Sequence, residues 1–175
     1  NVENLVFKMA ANSTVEMTDF TGEETVRYQG ANNATLNNNA AGTTFTSALT
    51  GTATATITLA DATGSSDAVT LTLDNASSTG ITTINDVETI SIVGTDDNDS
   101  ISLVGDDVAT VNISGSTDLT AVLPVAAKLT TITSTSTGDV TIELPANDVA
   151  YTGSSGVDDI TMSGSSLDED DAIDG

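Results

Sequence analysis

Oxygen-bearing side chains crowd the stretch GTDDNDSISLVGDD (94–107), where Asp96, Asp97, Asn98, Asp99, Asp106 and Asp107 surround a short alternating ISL segment. Oxygens clustered this densely suit the binding of a hard cation such as calcium, which takes about six to eight of them. The competing reading is turn chemistry, because Asp and Asn side chains accept main-chain N–H bonds and tolerate left-handed backbone. For a single aspartate, turn chemistry is the better account. The clusters at 94–107, 156–159 and LDEDDAID (167–174) hold more acids than turns need, so there a metal is the better account. Asp158, Asp159, Asp168, Asp170 and Asp171 join the candidates on that ground. An EF-hand does not fit, since its loop spacing and twelfth-position Glu are missing.

The rest of the composition narrows the chemistry further. There is no Cys and no His, which closes off thiol catalysis, imidazole acid–base work and zinc or haem ligation. Lys8, Arg27 and Lys128 stand against 26 acidic residues, a formal net charge of −23. Nucleic acid needs a basic footprint, and an anionic membrane surface would be repelled, so neither is an expected partner. No apolar run approaches the ~18 residues a spanning helix needs. Carboxylate pairs occur throughout, so a pair is no sign of a glycosidase, and β-helix lyases lean on basic residues that are scarce here. No enzymatic activity is expected. A glycan-binding or adhesin role is the second reading, although only Phe7, Phe20, Phe45, Tyr28 and Tyr151 are aromatic. Adaptation to brine is a competing account of the charge, but it does not explain acids in register.

The elements that must position these acids are strands. TATITL (54–59), VTLTL (69–73), TISIV (89–93), SISLV (100–104) and VTIEL (140–144) alternate with period two, and no stretch sustains a helical period. The chain reads as all-β. It also repeats: DVETISIVG (86–94), DVATVNISG (107–115), KLTTITSTS (128–136) and DVAYTGSSG (148–156) start 21, 21 and 20 residues apart. A second series, DSISL (99–103), DLTAV (118–122), DVTIE (139–143) and DITMS (159–163), interleaves with steps of 19, 21 and 20. Two strands per ~20 residues, each opened by a polar turn, predict the coils of a parallel β-solenoid. An antiparallel β-sandwich explains the alternation equally well but not the in-register repeat. Val87, Val108, Leu129 and Val149 form one expected inward column, with Ile101, Val140 and Ile160 near another. Residues 81–175 read as the regular solenoid, and 1–80 as irregular coils or a capping region with an Asn/Ala/Gly-rich insertion at 29–52.

Stacked coils at ~4.8 Å bring the acids into columns. Asp86, Asp107 and Asp148 precede one strand series; Asp99, Asp118, Asp139 and Asp159 precede the other. Such neighbours repel by about 1 kcal/mol per pair even in water. Either they splay into solvent or a cation sits between coils, with Lys128 as an internal counter-charge in the coil that lacks the aspartate.

GSSGVDDIT (153–161) resembles the RTX nonapeptide, matching it at Gly153, Gly156, Asp158 and Ile160 with Ser154 in place of a glycine. GTDDNDSIS (94–102) matches at Gly94, Asp99 and Ile101, with Thr95 and Asp97 replacing glycines. The resemblance implies Asp158 and Asp99 as calcium ligands and the glycines as turn formers. The Thr/Ala/Ser/Asn/Asp-rich coils, opening with VENL (2–5) and VETI (87–90), resemble bacterial surface-layer proteins of the RTX-containing, type I-secreted kind. That resemblance implies an extracellular, calcium-stabilised structural protein that associates with itself into a lattice or filament, with a cell-surface glycan as a further partner. The chain opens and closes without targeting punctuation, as a segment of a longer protein would.

Overall fold

The computed structural model describes residues 3–125, 128–145, 148–162 and 172–175. Alternating Thr, Ser, Val, Ile and Leu put one side of each strand in the interior, and the chain winds as a parallel β-solenoid of roughly 21 residues per turn. One ladder is built from β1 (Asn4–Lys8), β3 (Thr25–Gly30), β5 (Thr44–Gly51), β7 (Ala68–Leu73), β9 (Thr89–Gly94), β11 (Thr110–Gly115), β13 (Thr131–Ser134), β15 (Ala150–Thr152) and β17 (Ala172–Asp174). The other is built from β2 (Ser13–Glu16), β4 (Ala34–Asn39), β6 (Ala55–Leu59), β8 (Ser77–Ile84), β10 (Asp99–Val104), β12 (Leu119–Val125), β14 (Val140–Leu144) and β16 (Asp158–Met162). Every pairing within a ladder is parallel, and a 3-10 turn at Met17–Asp19 is the only helical element among the described residues. The sandwich alternative, which needs antiparallel pairs, is therefore excluded.

Register makes the repeat literal. Thr70, Ser91, Asn112 and Thr133 are paired across four successive coils at a constant 21-residue step. Beside them run two interior columns, Val26–Phe45–Leu71–Ile92–Ile113 and Val69–Ile90–Val111–Ile132–Tyr151. All ten side chains are buried. The expected corner column of Val87, Val108, Leu129 and Val149 is likewise buried. Each such side chain contributes about 1.5–3 kcal/mol relative to exposure, and each coil draws this from its two neighbours alone.

Two expectations change. In the second ladder Ile101 is followed by Ala121, Ile142 and Ile160, so Ile142 rather than Val140 occupies that column. Residues 29–52 are not an insertion. They carry β4 and β5, whose Leu36 and Phe45 pair in step with Val15 and Val26 of the coil before. Asparagine and small residues obscure the pattern, but Ala34 and Leu36 in β4 and Phe45, Ser47 and Leu49 in β5 put a buried residue at every second position.

The acids are sorted by this geometry. Most lie at the two sets of corners that join the ladders, while the outward positions of β7, β9, β11, β13 and β15 carry Thr, Ser, Asn, Ala and Val and no charged side chain. A chain of charge −23 thus has acidic edges and a neutral outer face over five successive coils.

Candidate metal centre

Strand direction decides where each aspartate points. Asp99 pairs with Leu119, which pairs with Val140, which pairs with Asp158. Asp118 and Asp139 fall one residue earlier, and Asp159 one residue later, opposite Thr141. The expected column of Asp99, Asp118, Asp139 and Asp159 therefore does not form, because a one-residue offset in a strand turns the side chain to the opposite face.

Asp99 is 1% exposed and its carboxylate is fully engaged by the protein. Oδ1 accepts the Ala76 N–H at 2.9 Å, and Oδ2 accepts the N–H groups of Thr95 and Asp96, both at 3.1 Å. Three main-chain donors around one buried carboxylate satisfy it without an ion. The same corner closes with the Asp99 N–H on the Asp96 carbonyl at 3.3 Å and Asn98 at a φ of +68°. Asp97 and Asn98 are exposed and Asp96 is half-buried.

Asp118 and Asp139 form a different device. Asp118 Oδ1 accepts the Asp139 N–H at 3.1 Å, and Asp139 Oδ1 accepts the Val157 N–H at 2.9 Å. Asparagines do the same work near the other end, where Asn12 Oδ1 accepts the Asn33 N–H at 3.0 Å and Asn33 Oδ1 accepts the Thr54 N–H at 2.9 Å. Each side-chain oxygen hydrogen-bonds to the following coil, so these residues satisfy main-chain groups that a corner would otherwise leave open.

Asp158, the aspartate of the RTX-like segment, leans inward. A Cβ on Gly153 would overlap its Oδ2, and its Oδ1 is shut off from solvent without a hydrogen bond. Beside it lies Tyr151, whose phenol is pushed up from its usual range by burial first and then by the Asp158 carboxylate. Gly153 thus makes room for the aspartate, which meets a tyrosine. Asp148 is exposed before β15. Asp168, Asp170 and Asp171 lie outside the described residues.

Among the described residues one set of carboxylates converges, that of Asp86, Asp106 and Asp107, with one oxygen from each within 4.8 Å of the others. Asp86 and Asp107 stand at equivalent places in neighbouring coils, three residues before the paired Thr89 and Thr110. Asp86 is held at a φ of +58°, and its N–H donates to Asp106 Oδ1 at 3.2 Å. Lys128, next in the same column, donates to Asp107 Oδ1. Asp86 and Asp106 are exposed, Asp107 is half-buried, and the lysine ammonium is mostly in solvent. Three carboxylates against one ammonium leave two negative charges at the cluster. Mutual spacing below 4.8 Å matches oxygens sharing one cation at ~2.3–2.6 Å, so the donor set fits calcium with solvent completing the shell. Asp106 and Asp107 were expected ligands. Asp86 was read as a column residue and not as a ligand, although its 21-residue step from Asp107 was the signal that the two would meet.

No protein-family model matches the chain, and no similar protein emerged from comparison with curated sequences or with solved structures.

Proposed function

We propose that this chain is a calcium-stabilised structural segment of an extracellular bacterial protein, a building block of a surface layer, filament or matrix. The observation that carries this reading is the convergence of Asp86, Asp106 and Asp107 on an acidic corner edge beside the uncharged outer face of β7, β9, β11, β13 and β15. A cation there ties one coil to the next and cancels the repulsion that stacking creates. Exposed sites of this kind bind at ~10⁻⁴–10⁻³ M, which extracellular calcium fills and cytosolic calcium does not. The binding free energy then adds to folding, so the solenoid stiffens after export. That uncharged face lets copies of a strongly acidic chain approach one another once the edges are neutralised, which supports self-association. No helix among the described residues is long and apolar enough to cross a membrane.

Thermal melts followed by far-UV circular dichroism, with calcium and with excess chelator, test the reading. A rise in melting temperature specific to calcium supports it; identical curves in calcium, magnesium and chelator overturn it. Light scattering on calcium addition tests assembly separately, with growth in particle size expected.

A further inference from the structure

The outer face of the second ladder has a step in it. Ser77 pairs with Ser100 and Ile81 with Ser102, so Ser78, Thr79 and Gly80 stand opposite Ile101 alone. The preceding coil shares the excursion, since Thr50 and Gly51 pair with Ser77 and Ser78 and Gly51 has a φ of +69°. The following coils do not, because Asp99–Ser102 pair with Leu119–Val122 without a break. Ser78 and Thr79 therefore rise as a wall over a floor made by Ser100, Ser102, Thr120 and Val122, with Ile101 at its foot. The cleft so formed measures about 330 Å³.

The wall is fixed in place. Ser78 Oγ donates to the Ala53 carbonyl at 2.6 Å and accepts the Gly80 N–H at 3.0 Å, while Thr79 Oγ1 donates to the Gly51 carbonyl at 3.1 Å. Gly80 lies so close that a Cβ would overlap the Ala53 carbonyl oxygen. The floor is different, for the hydroxyls of Ser100, Ser102 and Thr120 are engaged in no hydrogen bond among the described residues. Ser100 and Thr120 face each other across the coil step of ~4.8 Å, and Ser102 lies two residues along the strand, ~6.6 Å away. A pre-formed cleft with a few unspent polar groups beside aliphatic side chains is the usual form of a small-ligand site.

Its chemistry selects the ligand. No charged side chain lines the cleft, although the chain carries −23. An anion is disfavoured by the surrounding field, and the lining itself offers a cation no carboxylate, Glu143 lying one coil beyond Val122. A purely apolar ligand would strip water from three free hydroxyls without replacing its hydrogen bonds, at a cost in affinity. What remains is an uncharged molecule with hydroxyls on its rim and C–H groups on its face. We infer that the cleft binds a neutral sugar unit of a glycan, with Ser100, Ser102 and Thr120 exchanging hydrogen bonds with its hydroxyls and Val122 supporting its C–H face. This inference is independent of calcium.

Amide chemical shifts of the isotope-labelled chain, titrated with glucose, galactose, mannose, N-acetylglucosamine and their disaccharides, test it. At least one of these is expected to bind with a millimolar Kd and to shift resonances of Ser78–Ile81, Ser100–Ser102 and Thr120–Val122. Thr120→Val and Ser102→Ala remove a hydroxyl from an exposed and a half-buried outward position, and each is expected to weaken that sugar about fivefold or more with the melting temperature unchanged. Absence of shifts at saturating sugar, shifts confined to other coils, or variants that bind as well as the parent would overturn the assignment. Shifts at the cleft that follow protein concentration and not sugar would also overturn it, since a second copy would then be the occupant.

Discussion

Asp118 Oδ1 accepts the main-chain N–H of Asp139 at 3.1 Å, so a carboxylate of one coil hydrogen-bonds to the backbone of the next. Asp139 repeats the contact on Val157. A neutral oxygen acceptor would serve as well, as Asn12 and Asn33 demonstrate in the first coils. Asp139→Ala is therefore expected to lose roughly 0.5–1.5 kcal/mol, while Asp139→Asn holds or slightly raises stability by keeping the acceptor and removing charge. Urea unfolding of the two variants checks the contrast; equal losses would show that the acceptor is irrelevant.

Asp99 is the more demanding carboxylate, because it is buried and takes three N–H donors on two oxygens. Asp99→Ala strands the N–H groups of Ala76 and Asp96, while that of Thr95 keeps the Leu73 carbonyl, and is expected to cost about 2–3 kcal/mol. Asp99→Asn keeps one acceptor oxygen and turns an amide N–H₂ toward main-chain donors, so it should fall between. If the alanine variant melted with the parent, the corner would owe nothing to this residue.

For the Asp86, Asp106 and Asp107 cluster, a site of ~1 mM affinity stabilises by about 1.4 kcal/mol at ~10 mM calcium. In a chain of this length that is a rise of roughly 3–6 °C in Tm. Asp86→Asn combined with Asp106→Asn should abolish most of the rise and, by lowering repulsion, raise Tm in chelator. Calorimetry of parent and variant with and without calcium tells these apart.

Lys128 pairs with Asp107 at the same cluster. Its replacement in Lys128→Gln removes the one resident cation, so the variant should be less stable in chelator and gain more from calcium than the parent. The pair is largely exposed, so the effect in chelator is small, within about 1 kcal/mol. A calcium response identical to that of the parent would separate the lysine from the site.

Tyr28 is wholly buried, and burial pushes its phenol above the usual value near 10, partly countered by Ser47 in the next coil. A folded-state value raised above the unfolded one favours the protonated form in the fold. The stability it contributes is complete below about pH 10 and declines above it, by up to about 1.4 kcal/mol per pH unit. Melts between pH 9 and 12 should show that decline, and Tyr28→Phe should flatten part of it. Tyr151 shares the direction of shift, through burial and then the Asp158 carboxylate, so the double variant should flatten it further.

Much of the architecture was legible from the chain alone. Inward columns demand an apolar residue at every second position and stacked coils demand its recurrence about 21 residues later, so both periods are written in the order of residues. Val87, Val108, Leu129 and Val149 show them without ambiguity. The coils at 29–52 are faint in the sequence because Ala34 and Ala40 to Gly42 contribute little hydrophobic contrast, while Leu36 and Phe45 still hold the register.

The candidate site was legible only in outline. Composition and spacing place acids at corners, and the 21-residue step from Asp86 to Asp107 is visible in the sequence. Which carboxylates meet was decided by tertiary structure, because a one-residue difference in where a strand begins reverses the face of every side chain in it. That reversal puts Asp99 inside against Ala76, Thr95 and Asp96, and leaves Asp118 and Asp139 on the edge as backbone acceptors. Asp106 and Asp86 meet from neighbouring coils. The sequence alone determined a parallel, acidic, coil-repeating β protein. Register, which depends on how coils settle on one another, determined which of its acids serve the backbone and which remain for a cation.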